Sequence, residues 1–209
     1  VGLSADILHK GHIKILKIAD KLGNVTVGLL TDSAISSYKK LPHLDYKQRE
    51  IVLKNIKYVK KVVKQDSLDY RKNLLRFKPD FVVHGNDWKS GIQKKTRQQV
   101  INTLKKWSGK LIEPEYTKNI SSSQIKKKIL KAGTSPDNRK SKLSRLIDAK
   151  KIVRFIESHN AFSGLIVENL KIIKKEKFIE FDGMWSSSLT DSAIRGKPDN
   201  QAVDYSTRI

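Results

Sequence analysis

The chain contains no cysteine, a single methionine, and aromatic residues at only 7% of its 209 positions. The missing cysteine excludes a disulfide scaffold, a thiolate metal site and a cysteine nucleophile. Acidic residues are also scarce: 21 stand against 43 basic ones, for a formal net charge of +22. No uninterrupted apolar run approaches the roughly 18–20 residues of a membrane helix, and no signal-peptide pattern opens the chain. These absences set the expectation of a cytoplasmic protein with no membrane span. What is present suffices for a packed core, with 38% hydrophobic and 31% charged residues. That apolar content is too high for a disordered chain, and the length suits one or two domains. The chain opens at Val1 in a strand-like run and shows no terminating turn over Asp204 to Ile209, so a fragment of a longer protein is expected.

The basic excess invites a nucleic-acid reading. Only nine of the basic residues are Arg and 34 are Lys, scattered in short clusters such as Lys126-Lys127-Lys128. Bidentate recognition of bases and phosphates favours Arg, and no helix-turn-helix or zinc-finger spacing appears. A Lys-rich composition that attracts small phosphorylated substrates, without specific nucleic-acid binding, is the preferred reading.

Apolar patterning alternates strands and helices. Val1-Gly2-Leu3 reads as a strand, and Ile13, Ile15, Leu16, Ile18, Ala19 and Leu22 form a helical stripe closed by Gly23-Asn24. Strands are expected at 25–30, 58–63, 80–83 and 110–112, and helices at 46–56, 68–77, 92–107 and 121–130. This is the pattern of a doubly wound, Rossmann-like parallel sheet, whose ligands bind beyond the carboxyl ends of the strands. The breaker cluster Gly133 to Asn138 marks a linker. The expected division is 1–132, a linker over 133–142, and a second unit over 143–209 with helices at 143–149 and 162–173 and strands at 152–157 and 181–185.

The segment Asp6-Ile7-Leu8-His9-Lys10-Gly11-His12 follows a strand and opens a helix. Two histidines at i and i+3 share a side there, beside the free N–H groups and positive dipole end of a helix N-terminus. Gly11 lets a ligand approach the backbone. Imidazole N–H groups in that position can bond a phosphate chain and its developing charge.

Asp6-x-x-His9-x-Gly11-His12 resembles the H-x-G-H signature of the nucleotidyltransferase superfamily. Further segments occur in the order of its cytidylyltransferase branch. Thr31-Asp32 ends a strand, Lys39-Lys40 precedes Tyr46-Lys47-Gln48-Arg49, His84-Gly85-Asn86-Asp87-Trp88 ends another strand, and Asn119-Ile120-Ser121-Ser122-Ser123 opens a helix. The likeness spans about residues 1–131 and implies the nucleotidyltransferase fold. It implies attack of a phosphate or phosphonate oxygen on the α-phosphorus of CTP, with release of pyrophosphate. His9 and His12 would contact the triphosphate, Lys39 or Lys40 would neutralise its oxygens, and Arg49 is a second cationic candidate. Asp6, Gly11, Gly85, Asp87, Trp88, Ile120, Ser121, Ser122 and Ser123 would form the nucleotide site. Mg²⁺ would bridge the phosphates, with Asp6 and Asp87 the carboxylates best placed to orient it. The glycerol-phosphate branch carries an Arg where this chain has Tyr116 and a glycine where it has Asn119.

The second unit carries Glu157-Ser158-His159-Asn160-Ala161-Phe162-Ser163-Gly164-Leu165, then Phe181-Asp182-Gly183-Met184-Trp185-Ser186-Ser187-Ser188-Leu189-Thr190, then Gly196-Lys197-Pro198-Asp199. These residues resemble the phosphoenolpyruvate mutase family, whose active sites lie at the strand mouths of a (β/α)₈ barrel. The likeness implies the incomplete beginning of such a barrel. Trp185, Ser187, Leu189 and Asp199 would stand around a substrate carboxylate and phosphoryl group, with Ser188 in place of a glycine. With only about two barrel strands, no mutase activity is expected. The pairing resembles the bifunctional enzymes of phosphonate biosynthesis and favours a phosphonate acceptor. The alternatives are a glycerol, ethanolamine or choline phosphate acceptor, ATP as the nucleotide, and a basic nucleic-acid-binding protein. A homo-oligomer is compatible with all of them.

Overall fold

The computed structural model describes residues 1–115, 117, 122, 125, 129, 136–174 and 177–200, the side chains of 92, 137, 138, 173, 174, 177 and 178 apart. The chain divides into two compact units, Val1–Lys150 and Lys151–Ile209.

In the first unit the order is β1 (Gly2–Leu3), α1 (Lys10–Asp20), β2 (Thr26–Leu30), α2 (Asp32–Ser36), α3 (Tyr46–Lys54), β3 (Lys61–Gln65), α4 (Arg71–Phe77), β4 (Phe81–Val83), α5 (Lys94–Leu104), β5 (Lys110–Ile112) and α6 (Pro136–Ala149). All strand pairing is parallel. β1, β2 and β3 form one sheet in that order, and β4 pairs with β5 in a second piece, where one continuous ladder was expected. The strands are short, and two turns of 3₁₀ helix, Asn86–Lys89 and Gly91–Gln93, lie between β4 and α5.

Period-two alternation builds two cores on opposite faces. Val27, Leu29 and Val83 pack with Leu16 and Ala19 of α1 and Leu53 of α3. Leu30 and Val82 point the other way, to Ile35 of α2, Leu74 of α4, and Val100 and Leu104 of α5. Helices therefore cover both faces. Each fully buried side chain of this size contributes on the order of 1.5–3 kcal/mol to that packing. Of the expected stripe on α1, Leu16 and Ala19 are buried while Ile13 and Leu22 stay exposed.

Most element boundaries shift by a few residues from expectation, and one shifts between units. Helix α6 begins at Pro136, inside the expected linker 133–142, and belongs to the first unit. Proline at a helix start loses no hydrogen bond, so Pro136, Asp137 and Asn138 of the breaker cluster form the first turn of the helix. The expected helix over 121–130 lies mostly outside the described residues, of which Ser122, Ile125 and Ile129 are helical.

The second unit contains β6 (Phe155–Glu157), α7 (Ala161–Asn169), a hairpin of β7 (Ile172–Lys174) and β8 (Lys177–Ile179), β9 (Gly183–Trp185) and α8 (Ser188–Ile194). β6 and β9 pair in parallel with Glu157 opposite Trp185. Asn160 caps α7 by accepting the Ser163 N–H at 2.8 Å. The expected helix over 162–173 stops at Asn169, and Ile172 starts the antiparallel hairpin instead, as β-branched residues favour.

Candidate active site

Helix α1 starts on a reciprocal cap made by the two histidines. His9 is the N-cap, and its Nδ1 accepts the Gly11 N–H at 3.1 Å. His12 Nδ1 in turn accepts the His9 N–H at 3.3 Å. The i, i+3 spacing is thus the spacing of a capping box, with imidazoles in place of the usual hydroxyl and carboxamide. Because both Nδ1 atoms accept from the backbone, the neutral rings must carry their proton on Nε2. The ring centroids are 4.1 Å apart. Burial lowers the pKa of His9, and burial, then His9 and Lys39, lower that of His12 to about 4. Both imidazoles are neutral N–H donors at pH 7.

A Cβ at Gly11 would stand 2.9 Å from Cε1 and 3.0 Å from Nδ1 of His9. Glycine at this point therefore makes room for the cap.

The two rings line a cavity of about 230 Å³ at the carboxyl ends of the strands. Lys39, Ser122, Gly85 and Asp87 also line it, together with Ser4, Tyr38, Tyr70, His84, Gln93, Glu115 and Thr117. Lys39 Nζ donates to Ser4 Oγ at 3.1 Å, and Ser122 Oγ donates to Ile7 O at 3.1 Å. Lys40 is exposed and is not part of the lining. Ile120, Ser121, Ser123, Tyr116 and Asn119 lie outside the described residues.

Three expected contacts take another form. Arg49 is fully buried. Its Nη1 donates to Ser4 O (2.5 Å) and Leu30 O (2.8 Å), its Nε to Leu44 O (3.2 Å), and its Nη2 to Asp32 (2.6 Å). It braces the carbonyls of Ser4 and Leu30, which line the cavity, and is not itself among the lining residues. Asp6 is 2% exposed, and its Oδ1 accepts the N–H groups of His43 (2.5 Å) and Leu44 (3.3 Å). It ties down a loop. Trp88 is 1% exposed and belongs to the core, with its Nε1 donating to Glu113 at 2.7 Å. It backs the cavity through two lining rings, His84, which stacks on it at 3.8 Å and 8°, and Tyr70, tilted against it at 6.5 Å. Arg97 grips the same Glu113 with two bonds of 2.8 Å. Those bonds first, and Trp88 after them, hold the Glu113 carboxyl down at about 2 against the opposing effect of burial.

Sequence reasoning gave no role to Ser4, Tyr38, Tyr70, His84, Gln93, Glu115 or Thr117. Of these only His84, the first residue of the His84-Gly85-Asn86-Asp87-Trp88 segment, left a signal there.

Among the described residues no group of three His, Asp or Glu stands together as a metal site. Asp87 and Glu115 are the carboxylates in the lining. This set fits a Mg²⁺ carried by a nucleotide's own phosphates with one carboxylate beside it, as that ion is commonly bound.

In the second unit Trp185 and Leu189 are exposed, and Asp199 lies in an exposed turn. Ser187 caps α8 by accepting the Thr190 N–H at 3.3 Å. No helix among the described residues is long and apolar enough to cross a membrane.

Comparison with known proteins agrees with the first unit. A FAD synthase of Archaeoglobus fulgidus is 35% identical over 82 residues, covering 39% of this chain and 60% of that protein. The glycerol-3-phosphate cytidylyltransferase of Bacillus subtilis is 33% identical over 85 residues, 40% of this chain and 66% of that enzyme. The chain thus spans under two thirds of the length of these relatives. The glycerol-3-phosphate cytidylyltransferase of Bacillus spizizenii is 31% identical over 124 residues, 58% of this chain and 88% of that enzyme. The cytidylyltransferase-like family matches residues 2–128. With its histidine-capped helix opening onto a cavity at the strand ends, the chain belongs to the cytidylyltransferase-like family.

Proposed function

We propose that the first unit transfers a nucleotidyl group, CMP from CTP, to a phosphate oxygen of a small acceptor. The observation that carries this reading is the pair of neutral Nε2–H imidazoles beside Lys39 in one cavity at a helix N-terminus. An acceptor phosphate oxygen forms a bond to the α-phosphorus. The bond from that phosphorus to the bridging oxygen of the β-phosphate breaks, and pyrophosphate leaves with the electron pair. No proton transfer to the protein is required. His9 and His12 donate hydrogen bonds to oxygens whose charge grows, and Lys39 adds a positive charge beside them. Mg²⁺, where bound with the nucleotide, supplies charge neutralisation of the phosphates.

Glycerol phosphate is the favoured acceptor class, since glycerol-3-phosphate cytidylyltransferases recur among the relatives. The FAD synthases among them keep an adenylyl donor in the test. A second reading, a phosphonate acceptor, draws support from the likeness of 157–165 and 181–199 to phosphoenolpyruvate mutases, and from the parallel pair β6 and β9 that carries them. In that reading residues 151–209 are the beginning of a barrel.

The test is pyrophosphate release with CTP or ATP and Mg²⁺, comparing glycerol 3-phosphate, phosphocholine, phosphoethanolamine, aminoethylphosphonate and hydroxyethylphosphonate. Release with CTP and glycerol 3-phosphate is the expected result. Release only with a phosphonate would replace it by the second reading, and release only with ATP would overturn CTP as donor.

A further inference from the structure

Helix α6 lies beyond residues 2–128, where the family match ends, yet it reaches the loop that follows Lys39. Arg145 Nη1 donates to His43 O at 3.0 Å. Its Nη2 donates to Pro42 O at 3.0 Å and to Asp32 Oδ2 at 3.3 Å. From inside, Asp6 holds the N–H groups of His43 and Leu44, and Arg49 holds Leu44 O. Asp32 joins the two guanidinium groups, one on each carboxylate oxygen. The peptide groups of 42–44 are therefore gripped by three side chains from three separate segments. The end of α6 also packs beside α2, just before Lys39: Ala149 O stands 3.3 Å from Ser36 Oγ, whose hydroxyl it shares with Ser33 O at 3.0 Å.

We propose that Arg145 is a positioning residue for nucleotidyl transfer, holding the 39–45 loop so that Lys39 stays in the cavity. The proposal rests on the reading that Lys39 meets the triphosphate. The planar fork of arginine suits this place because it serves two carbonyls and a carboxylate at once, which a lysine ammonium on a flexible stem does poorly.

Full-length chains carrying Arg145→Ala, Arg145→Lys, Lys39→Ala and the double change Lys39→Ala with Arg145→Ala test it. Two readouts apply: kcat/KM for pyrophosphate release, and hydrogen–deuterium exchange of the amides in 41–45. Arg145→Ala is expected to lower kcat/KM by roughly 10- to 100-fold, the scale of losing hydrogen bonds to a charged group, and to speed exchange at His43 and Leu44. Arg145→Lys is expected to recover part of both, and it is the informative variant where the alanine chain does not fold. In the Lys39→Ala background Arg145→Ala should cost little more, because it acts through Lys39. A full additional loss there, or unchanged exchange over 41–45 in both Arg145 variants, overturns the proposal. Where the unaltered chain releases no pyrophosphate with any acceptor, the functional reading fails and exchange alone decides the clamp.

Discussion

Single side chains carry the sharpest expectations. His12→Ala should lower transfer by roughly 10²–10³-fold, the scale of one transition-state donor; a loss under about 3-fold would remove His12 from the reaction. Lys39→Ala and Lys40→Ala should differ widely, with the larger loss at Lys39, because Lys39 lines the cavity while Lys40 is exposed. Equal small losses would place both in a solvated loop. The depressed pKa of His12 also has a stability consequence. As pH falls through 6.5 the unfolded chain takes up the proton first, while the folded imidazole resists down to about 4. Stability contributed at this site therefore falls with pH across that window. The urea midpoint of the unaltered chain should drop more steeply between pH 7 and 5 than that of His12→Gln. Parallel slopes would show that His12 titrates normally.

Among the elements, the segment between β4 and α5 was the most misleading. Asp87 and Trp88 are adjacent in sequence, yet the 3₁₀ turn sends one into the cavity lining and the other into the core. Trp88→Ala should destabilise the first unit by about 3–5 kcal/mol, the usual cost of removing a buried large aromatic. Trp88→Phe should cost less stability, while loosening the ring on which His84 stacks. Chemical unfolding followed by circular dichroism checks both, and an alanine cost under about 1 kcal/mol would contradict the core assignment. The parallel strands and most helices were legible because apolar period is a local property. Helix α2 was not, since five residues hold little more than one turn of helical period, and the hairpin of β7 and β8 was not, since Ile172 and Ile173 extend the apolar pattern of the helix before them.

For the chain as a whole, the division into units matters more than the charge of +22. The described cavity lining comes from residues 1–122 and the Arg145 clamp from within 1–150. A chain ending at Lys150 should therefore keep pyrophosphate-release activity within about threefold, less than the tenfold that one charged hydrogen bond represents. A chain ending at Thr134 should lose most of it. Activity that vanished on removing 151–209 would assign the second unit a part in transfer.

The histidine spacing, the strand–helix alternation and the small residue at Gly11 were written in the sequence, because each is set by neighbours within one turn or one strand. The roles of Arg49, Asp6 and Trp88 were not. Each sits in a motif that reads as a binding site, but each side chain is engaged by backbone or side-chain groups that stand 17 to 45 positions away. Motif and spacing name the residues near a site; only the folded packing separates those that touch the cavity from those that hold its walls. Arg145 is the extreme case, 113 positions from Asp32, and no local pattern could have joined the two.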